Sequence, residues 1–433
     1  MAYTISAYTL GCKVSQYESE AILEEAERRG FVAVKSGIAD VYVVNTCTVT
    51  AEGDRKCRQL IRRLAKNAPN AKILVCGCYA QVAPEELEKI DCIDYISGTS
   101  DKLKTVDRAI ELLDGRDIPR VEVTSLDGAA FEKMQIHRAP RTRAYVKIED
   151  GCENRCAYCK IPEARGNVRS KSIADTIEEI RILASGGVKE VVLTGIETAS
   201  FGVDTGESLA DLLIEADKID GIERIRLGSL EPTLMRPLFI EKISRLKKLT
   251  PHFHLSMQSG CSRTLAAMKR KYNADMALKN IEAVRAAIDG VQFTTDVIVG
   301  FPGESDEDFK ETLAFVKKAR FLQTHVFKYS KRSGTAAATM KYQVPDNIKH
   351  ERSQTLTAVC AEITAELLNE EIEKRPLQKV LFEQKANGAW CGHTASFIEV
   401  RAESNCDLQG VFCKVKLLKT NENYIEAEIL KKL

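Results

Sequence analysis

The sequence predicts an α/β protein in three parts: a doubly wound parallel sheet, a partial barrel of about six βα units, and a small C-terminal β-barrel. Three observations carry this expectation. Strand-like and helix-like stretches alternate over residues 1–125, a second alternating series follows a polar stretch at 126–141, and beyond Pro376 short strands recur without helices between them.

In the first part, strands are expected at 3–9, 40–45, 72–76 and 94–96, with helices such as 19–29 and 54–66 between them. Strands separated by helices read as βαβ units and hence a parallel sheet. The stretch 126–141, polar, aperiodic and containing Pro140, reads as a linker. The second part, 142–370, has expected strands at 144–149, 190–194, 224–230, 252–258, 293–299 and 324–329, with helices such as 173–184 and 306–318. Six units are too few to close an eight-stranded barrel, so a partial barrel is expected. A long helix at about 346–374 leads to the last part, 371–433, with strands at 379–383, 394–401, 411–419 and 424–430.

Composition narrows the function. The chain has 433 residues, with 63 basic side chains against 62 acidic ones, so any nucleic-acid surface must be a local patch rather than a global field. Fourteen cysteines accompany one tryptophan and six histidines. The opening MAYTISAYTLGCKVSQ lacks a signal-peptide pattern, and no apolar run approaches the roughly 18 residues of a membrane span. A reducing cytoplasm is therefore expected, with the cysteines as ligands or core filler rather than disulfides.

The most informative segment is Cys152-Glu-Asn-Arg-Cys156-Ala-Tyr-Cys159. Its CxxxCxxC spacing has no fourth cysteine before Cys261, whereas a closed structural zinc site needs about four ligands. A cubane iron–sulfur cluster takes one thiolate per iron, so three thiolates leave one iron open for a cofactor. A second set is more dispersed. Cys12, Cys47 and Cys78 each follow an expected strand, at intervals of 35 and 31 residues. In an open parallel sheet such positions converge on one crevice. By spacing alone, strand-end cysteines fit ordinary core positions equally well. Cys57 shares a helix face with Leu60, Ile61 and Leu64, and Cys76 lies inside a strand, so both are expected in the core.

These two sets, with the motifs around them, resemble the methylthiotransferase family of radical S-adenosylmethionine enzymes. The matching residues are Leu10-Gly11-Cys12-Lys13 with Tyr17-Glu18, Asn45-Thr46-Cys47-Thr48-Val49-Thr50, and Gly77-Cys78-Tyr79-Ala80-Gln81. In the centre they are the cysteine loop, with Tyr158 before its last cysteine, then Ala164-Arg165-Gly166 and Arg169-Ser170. Further on they are Leu193 to Ile196, Leu227 to Pro232, Leu255 to Gly260, Thr295 to Glu304 and His325 to Ser330. The forms GCKVSQYE and NTCTVT are most similar to the branch acting on N6-threonylcarbamoyladenosine in tRNA. Glu163 and Thr198-Ala199-Ser200 depart from that pattern, which puts fine substrate preference in question.

The resemblance implies a TIM-like radical SAM barrel, a TRAM-like RNA-binding module, two [4Fe-4S] clusters and S-adenosylmethionine. Cys152, Cys156 and Cys159 would hold the cluster that cleaves S-adenosylmethionine to a 5′-deoxyadenosyl radical. Cys12, Cys47 and Cys78 would hold the cluster that carries sulfur, and a methylthio group would join C2 of the adenine. Strand-end positions then suggest Thr194, Gly195, Ser229, Glu231, Gln258, Ser259, Asp296 and Phe327 as contacts to S-adenosylmethionine. Arg165 and Arg169 are expected to meet the substrate. The basic stretch Arg55, Lys56, Arg58, Arg62, Arg63 and the run Lys269-Arg270-Lys271-Tyr272 suit either phosphate contacts or a solvated surface. The implied partners are the tRNA anticodon stem-loop and an electron donor such as flavodoxin or ferredoxin, with no membrane. The alternatives are a methylthiotransferase acting on isopentenyladenosine tRNA or on a ribosomal protein aspartate, and a non-catalytic iron–sulfur RNA-binding protein.

Overall fold

The computed structural model describes residues 2–433. Its N-terminal sheet comprises β1 (Thr4–Thr9), β2 (Val32–Ala33), β3 (Val41–Thr46), β4 (Lys72–Gly77), β5 (Tyr95–Ser97) and β6 (Val121–Glu122). All pairings are parallel and the spatial order is β2-β1-β3-β4-β5-β6. Every residue of β3, VYVVNT, is buried, as a strand covered by helices on both faces requires. The covering helices include α1 (Lys13–Arg28) and α2 (Ala51–Asn67). Thr50 caps α2 by accepting a 3.1 Å hydrogen bond from the Gly53 amide, and Cys57, Leu60, Ile61 and Leu64 form its buried face. After β4 come two single-turn helices, α3 (Cys78–Val82) and α4 (Pro84–Glu88), and then α5 (Lys104–Leu113).

The central part begins with β7 (Arg143–Lys147), followed by a short antiparallel pair, β8 (Glu149–Asp150) and β9 (Arg169–Ser170). The single-turn helix α6 (Ile161–Arg165) lies between them in sequence. The parallel strands β10 (Glu190–Thr194), β11 (Arg224–Leu227), β12 (Ser229–Leu230), β13 (His252–Gln258), β14 (Gln292–Val299) and β15 (Gln323–Lys328) complete a curved half-barrel. The stretch expected as one strand at 224–230 breaks at Gly228, so β11 bonds to β10 while β12 bonds to β13. A side chain at Gly228 would crowd the Thr198 and Thr194 hydroxyls, at 3.1 and 3.2 Å from its Cβ. The half-barrel's core, with Val146, Val191, Ile225, Phe253 and Phe293, is continuous with that of the small C-terminal barrel.

The C-terminal strands β16 (Leu377–Ala386), β17 (Ala389–His393), β18 (Glu399–Ala402), β19 (Phe412–Asn421) and β20 (Tyr424–Lys432) close in the order β16-β17-β18-β20-β19. This small barrel docks where the half-barrel strands begin. Arg143 at the start of β7 pairs with Glu383, Arg224 at the start of β11 donates to the His393 carbonyl at 3.1 Å, and Phe397 stacks on His252 at 4.5 Å. The segment between β6 and β7 carries no helix or strand. It is nevertheless anchored, with Met134 and Ile136 buried and the Tyr17 hydroxyl donating to the Met134 carbonyl at 2.7 Å.

Candidate active site between the sheet and the half-barrel

Cys12, Cys47 and Cys78 lie together at the C-terminal edge of the N-terminal sheet. Cys12 precedes the first turn of α1, Cys47 follows β3, and Cys78 opens α3 after β4. Their strands β1, β3 and β4 are adjacent, and the chain reverses its direction of travel across the sheet between β2 and β3. A crevice at such a switch point is the usual ligand site of open parallel sheets. Burial pushes the Cys47 thiol up to about 12, and the proximity of Cys78 and Cys12 adds to the rise. Gly11 leaves room for the first turn of α1, since a Cβ there would stand 2.6 Å from the Ser15 hydroxyl. As expected, Cys76 packs in the core with Ile5, Val41 and Leu74, and Cys57 with Leu60 and Ile61.

Cys152, Cys156 and Cys159 sit in the loop after β8. Burial lifts the Cys152 thiol to about 12, with Glu197 and then the other two thiols adding to it, and lifts Cys159 to about 11, with Cys156 adding to it. Helix α6 begins two residues after Cys159 and packs on α3, which Cys78 opens, so the two sets face each other. Among the described residues no three His, Cys, Asp or Glu side chains converge tightly enough for a single metal ion. Thiols that are neighbours without converging suit a cluster, in which each ligand takes a separate iron.

One arginine reaches each set. Arg165, in α6, places Nε 3.2 Å from the Cys78 Sγ, and Arg270 places Nη1 3.1 Å from the Cys156 Sγ. Arg165 is wholly buried in a charge network spanning the two parts. Glu18 of α1 accepts from Arg165, from Lys102 and from Lys147 at 2.9 Å, while Lys147 also reaches Asp150 at 2.7 Å. Burial alone would push the Glu18 carboxyl up, but Arg165, Lys102 and Lys147 together hold it well below the usual carboxylate range. This placement corrects the expectation that Arg165 meets RNA: no solvent-facing surface remains on it. Arg169 is likewise buried, 3.5 Å from Asp150.

The mouth of the half-barrel holds three buried carboxylates. Glu149 accepts from the Glu197 amide at 2.8 Å and lies where a side chain at Gly195 would be, its Oε2 only 2.4 Å from that missing Cβ. Glu231 meets Arg270 Nη2 at 3.1 Å. Burial, reinforced by Glu231, lifts the Glu197 carboxyl to about 7. Glu149 Oε1, Glu197 Oε1 and the Thr198 hydroxyl are buried with no hydrogen-bond partner. Buried polar groups are normally satisfied. An acidic cradle with spare acceptors beside the CxxxCxxC loop fits a cationic ligand, and S-adenosylmethionine carries both an ammonium and a sulfonium.

The other strand-end residues divide. Thr194 is buried at the end of β10, and Ser229 and Gln258 are half-buried at strand ends, Gln258 in a left-handed conformation at φ 64°. Asp296 receives His254 Nε2 at 3.3 Å, and Phe327 is 46% exposed on the edge strand β15. Ser259 differs from the expectation. It is buried, its hydroxyl faces Thr312 at 3.3 Å and accepts from the Cys261 amide at 3.2 Å, so structural partners occupy it. The basic run at 269–272 is also not a surface feature throughout. Arg270 turns inward to Cys156, and the Tyr272 hydroxyl donates to the Ser256 carbonyl at 2.7 Å. Glu149 and Glu197 were not singled out from the sequence, and Arg270 entered only as part of a basic run suited to phosphate contacts or a solvated surface. Nothing local in a charged residue reveals that it faces inward.

A parallel half-barrel bearing a CxxxCxxC loop at its mouth defines a radical SAM protein. Consistent with this, the Radical SAM superfamily model matches residues 146–316, and the model called Uncharacterized protein family UPF0004 matches residues 4–98. The chain is 38% identical over 440 aligned positions to the threonylcarbamoyladenosine tRNA methylthiotransferase MtaB of Bacillus subtilis, covering 99% of this chain and 96% of the relative. It is 39% identical to the Thermotoga maritima protein of the same name, covering 82% and 81%. The tRNA-2-methylthio-N(6)-dimethylallyladenosine synthase of Carboxydothermus hydrogenoformans is 35% identical, with 98% of each chain covered. Among solved structures, the radical S-adenosylmethionine methyltransferase TsrM of Kitasatospora setae aligns with a TM-score of 0.57 at 14% identity, covering 78% and 74%, a likeness of fold alone. The chain belongs to the methylthiotransferase family of radical S-adenosylmethionine enzymes.

Proposed function

We propose that the protein inserts a methylthio group at C2 of N6-threonylcarbamoyladenosine next to the tRNA anticodon. The observation that carries this reading is the pair of three-thiol sets facing each other, with α6 directly after the cysteine loop packed on α3 and its Arg165 Nε 3.2 Å from the Cys78 Sγ. On this reading Cys152, Cys156 and Cys159 hold a [4Fe-4S] cluster that binds S-adenosylmethionine, and Cys12, Cys47 and Cys78 hold the second [4Fe-4S] cluster. When bound, these groups supply the radical that removes the C2 hydrogen and the sulfur and methyl that replace it. The chain's own residues bind, orient and shield. Glu149, Glu197 and Glu231 receive the cofactor's positive charge, Arg165 and Arg270 steady one thiolate of each set, and the N-terminal sheet covers the mouth. Cover of this kind keeps stray hydrogen donors from a reactive species.

Support for the particular base comes from relatives named as threonylcarbamoyladenosine enzymes, at 38–39% identity and covering 82–99% of this chain. An unstacked anticodon-loop base is accessible at small energetic expense. The proposal extends to a cytoplasmic location and to flavodoxin or ferredoxin as electron donor. Among the described residues no helix is long and apolar enough to cross a membrane.

Mass spectrometry of tRNA nucleosides from a strain lacking the gene tests the function. The expected result is loss of 2-methylthio-N6-threonylcarbamoyladenosine with its unthiolated precursor accumulating. Loss of the methylthio-isopentenyl nucleoside instead, or unchanged tRNA, would overturn it.

A further inference from the structure

The loop that carries Cys152, Cys156 and Cys159 is held between two other segments. The Ala157 amide donates to the Met268 carbonyl at 3.0 Å, and the Ala337 amide donates to the Ala157 carbonyl at 2.8 Å. Beside these segments lies a groove of about 270 Å³, lined by Ala267, Phe301, Pro302, Met340, Lys341 and Tyr342 among others. Ala267, Phe301 and Met340 belong both to its floor and to the apolar cluster that holds Ala157 and Tyr158. The Phe301 and Tyr158 rings meet edge to face at 6.5 Å, and Tyr158 directly precedes Cys159. One layer of side chains thus separates the groove from the cysteine loop.

The rim is basic and unpaired. Lys341 lines the groove, while Lys269 and Lys271 follow closely after Ala267 and flank Arg270, whose Nη1 is 3.1 Å from the Cys156 Sγ. All three lysines are exposed and enter no ion pair among the described residues. The nearby acids are already engaged: Glu304 and Asp306 each meet Arg352 at 2.7 Å, and Asp308 is bound by Arg263. Tyr342 stands 83% exposed in a left-handed conformation at φ 58°, its carbonyl accepting from the Gly303 amide at 2.9 Å. Few non-glycine residues adopt that conformation. An apolar floor, an exposed aromatic and spare cations together make a surface complementary to an acidic protein.

We propose that this groove docks an acidic carrier protein that delivers single electrons to the cluster of the CxxxCxxC loop. The inference rests on the electron donor proposed above and names its surface. On that reading cofactor and substrate occupy the mouth of the half-barrel, and the N-terminal sheet covers it, so an electron has to enter from elsewhere around the loop. Transfer through protein slows steeply with distance, and the groove sets a carrier against the Phe301–Tyr158 contact. The step moves one electron: the reduced carrier loses it, the cluster gains it, and no bond or proton is exchanged. Nucleic acid also answers to lysines. The target base, however, has to reach between the two thiol sets, where α6 meets α3, whereas the groove backs onto Ala157.

The test uses the reconstituted full-length enzyme with S-adenosylmethionine and an anticodon stem-loop, and with reduced flavodoxin or dithionite as electron source. The Lys271→Glu/Lys341→Glu variant should lose roughly tenfold or more in flavodoxin affinity by calorimetry and in flavodoxin-driven 5′-deoxyadenosine formation. Its dithionite-driven rate and its stem-loop affinity should match wild type, because a small reductant needs no docking surface. An unchanged flavodoxin rate would overturn the inference, and so would an equal loss with both reductants. Loss of stem-loop affinity instead would assign the surface to RNA. In wild type, flavodoxin should slow amide hydrogen exchange at residues 301–304 and 339–343; protection confined to other segments would also overturn it. Methylthiolation of a different base leaves the docking surface standing and sinks only the choice of substrate. An enzyme that forms no 5′-deoxyadenosine with either reductant sinks the function and the surface together.

Discussion

Arg165 Nε lies 3.2 Å from the Cys78 Sγ, so a guanidinium carried by the half-barrel touches a thiol carried by the N-terminal sheet. The same guanidinium is bound by Glu18 and Asp150, one from each part. Hydrogen bonds to cluster sulfurs raise reduction potentials, and partners behind the ligands orient them. Arg165→Lys keeps the charge and removes the fork. It should lower the midpoint potential of the second cluster by roughly 50 mV while leaving the first unchanged, read by redox titration with EPR detection. An unaltered potential would separate Arg165 from the cluster.

The acidic cradle gives a prediction on cofactor affinity. Glu197→Gln removes a carboxylate from a group of three whose spare acceptors suit a cation. S-adenosylmethionine binding to the reconstituted enzyme, measured by equilibrium dialysis, should weaken by roughly tenfold with little change in iron content. Unchanged affinity would place the cofactor elsewhere.

Glu190 holds the three arginines, Arg143, Arg224 and Arg226, that reach from the half-barrel to the small C-terminal barrel. Burial pushes its carboxyl up, but Arg226, Arg143 and Arg224 overcome this and bring it to about 2, from an ordinary 4.5. A depressed folded value means stabilisation that is complete above the unfolded value and lost as pH falls from about 4.5 toward 2. Urea midpoints should therefore drop between pH 5 and pH 3 in wild type. Glu190→Gln should be less stable at pH 5 by about 3 kcal/mol or more, because the buried Arg224 and Arg226 and the half-buried Arg143 lose their shared partner, and should show a shallower drop. A wild-type drop undiminished in Glu190→Gln would assign the acid sensitivity to other carboxylates.

Iron content addresses the two thiol sets as cluster sites. Anaerobic reconstitution should give about eight iron per chain, falling to about four when Cys12, Cys47 and Cys78 are all replaced by alanine. A Cys76→Ala control should stay near about eight, since that thiol lies in the core. About four iron in both wild type and triple variant would leave the sheet without a cluster.

Much of this was legible in the sequence because it is local or periodic. The cysteine loop is a run of eight residues, and the strand ends bearing Cys12, Cys47 and Cys78 follow from apolar stretches. The two-residue strands β2 and β6 are too short to carry a period. The β16–β17 hairpin was missed although Asn387-Gly388 stands at its turn with φ 51° and 84°, a strong local signal for two strands. Arg270 read as part of a basic surface run because nothing in its neighbours shows that the left-handed Lys269, at φ 60°, turns the chain inward. Arg165 was expected near substrate from its position after the cysteine loop. Its real partners, Glu18 and Cys78, lie 147 and 87 residues away. Contacts of that separation belong to the tertiary structure and leave no mark on local pattern.

The division of labour between the two thiol sets is the central claim, and one assay bears on it directly. Reconstituted enzyme is given S-adenosylmethionine, a reductant and an anticodon stem-loop containing N6-threonylcarbamoyladenosine, and both products are quantified by mass spectrometry. Wild type should form 5′-deoxyadenosine and the C2-methylthio nucleoside. The Cys12/Cys47/Cys78→Ala variant should still form 5′-deoxyadenosine but no methylthio product. Methylthio product from that variant would contradict the account.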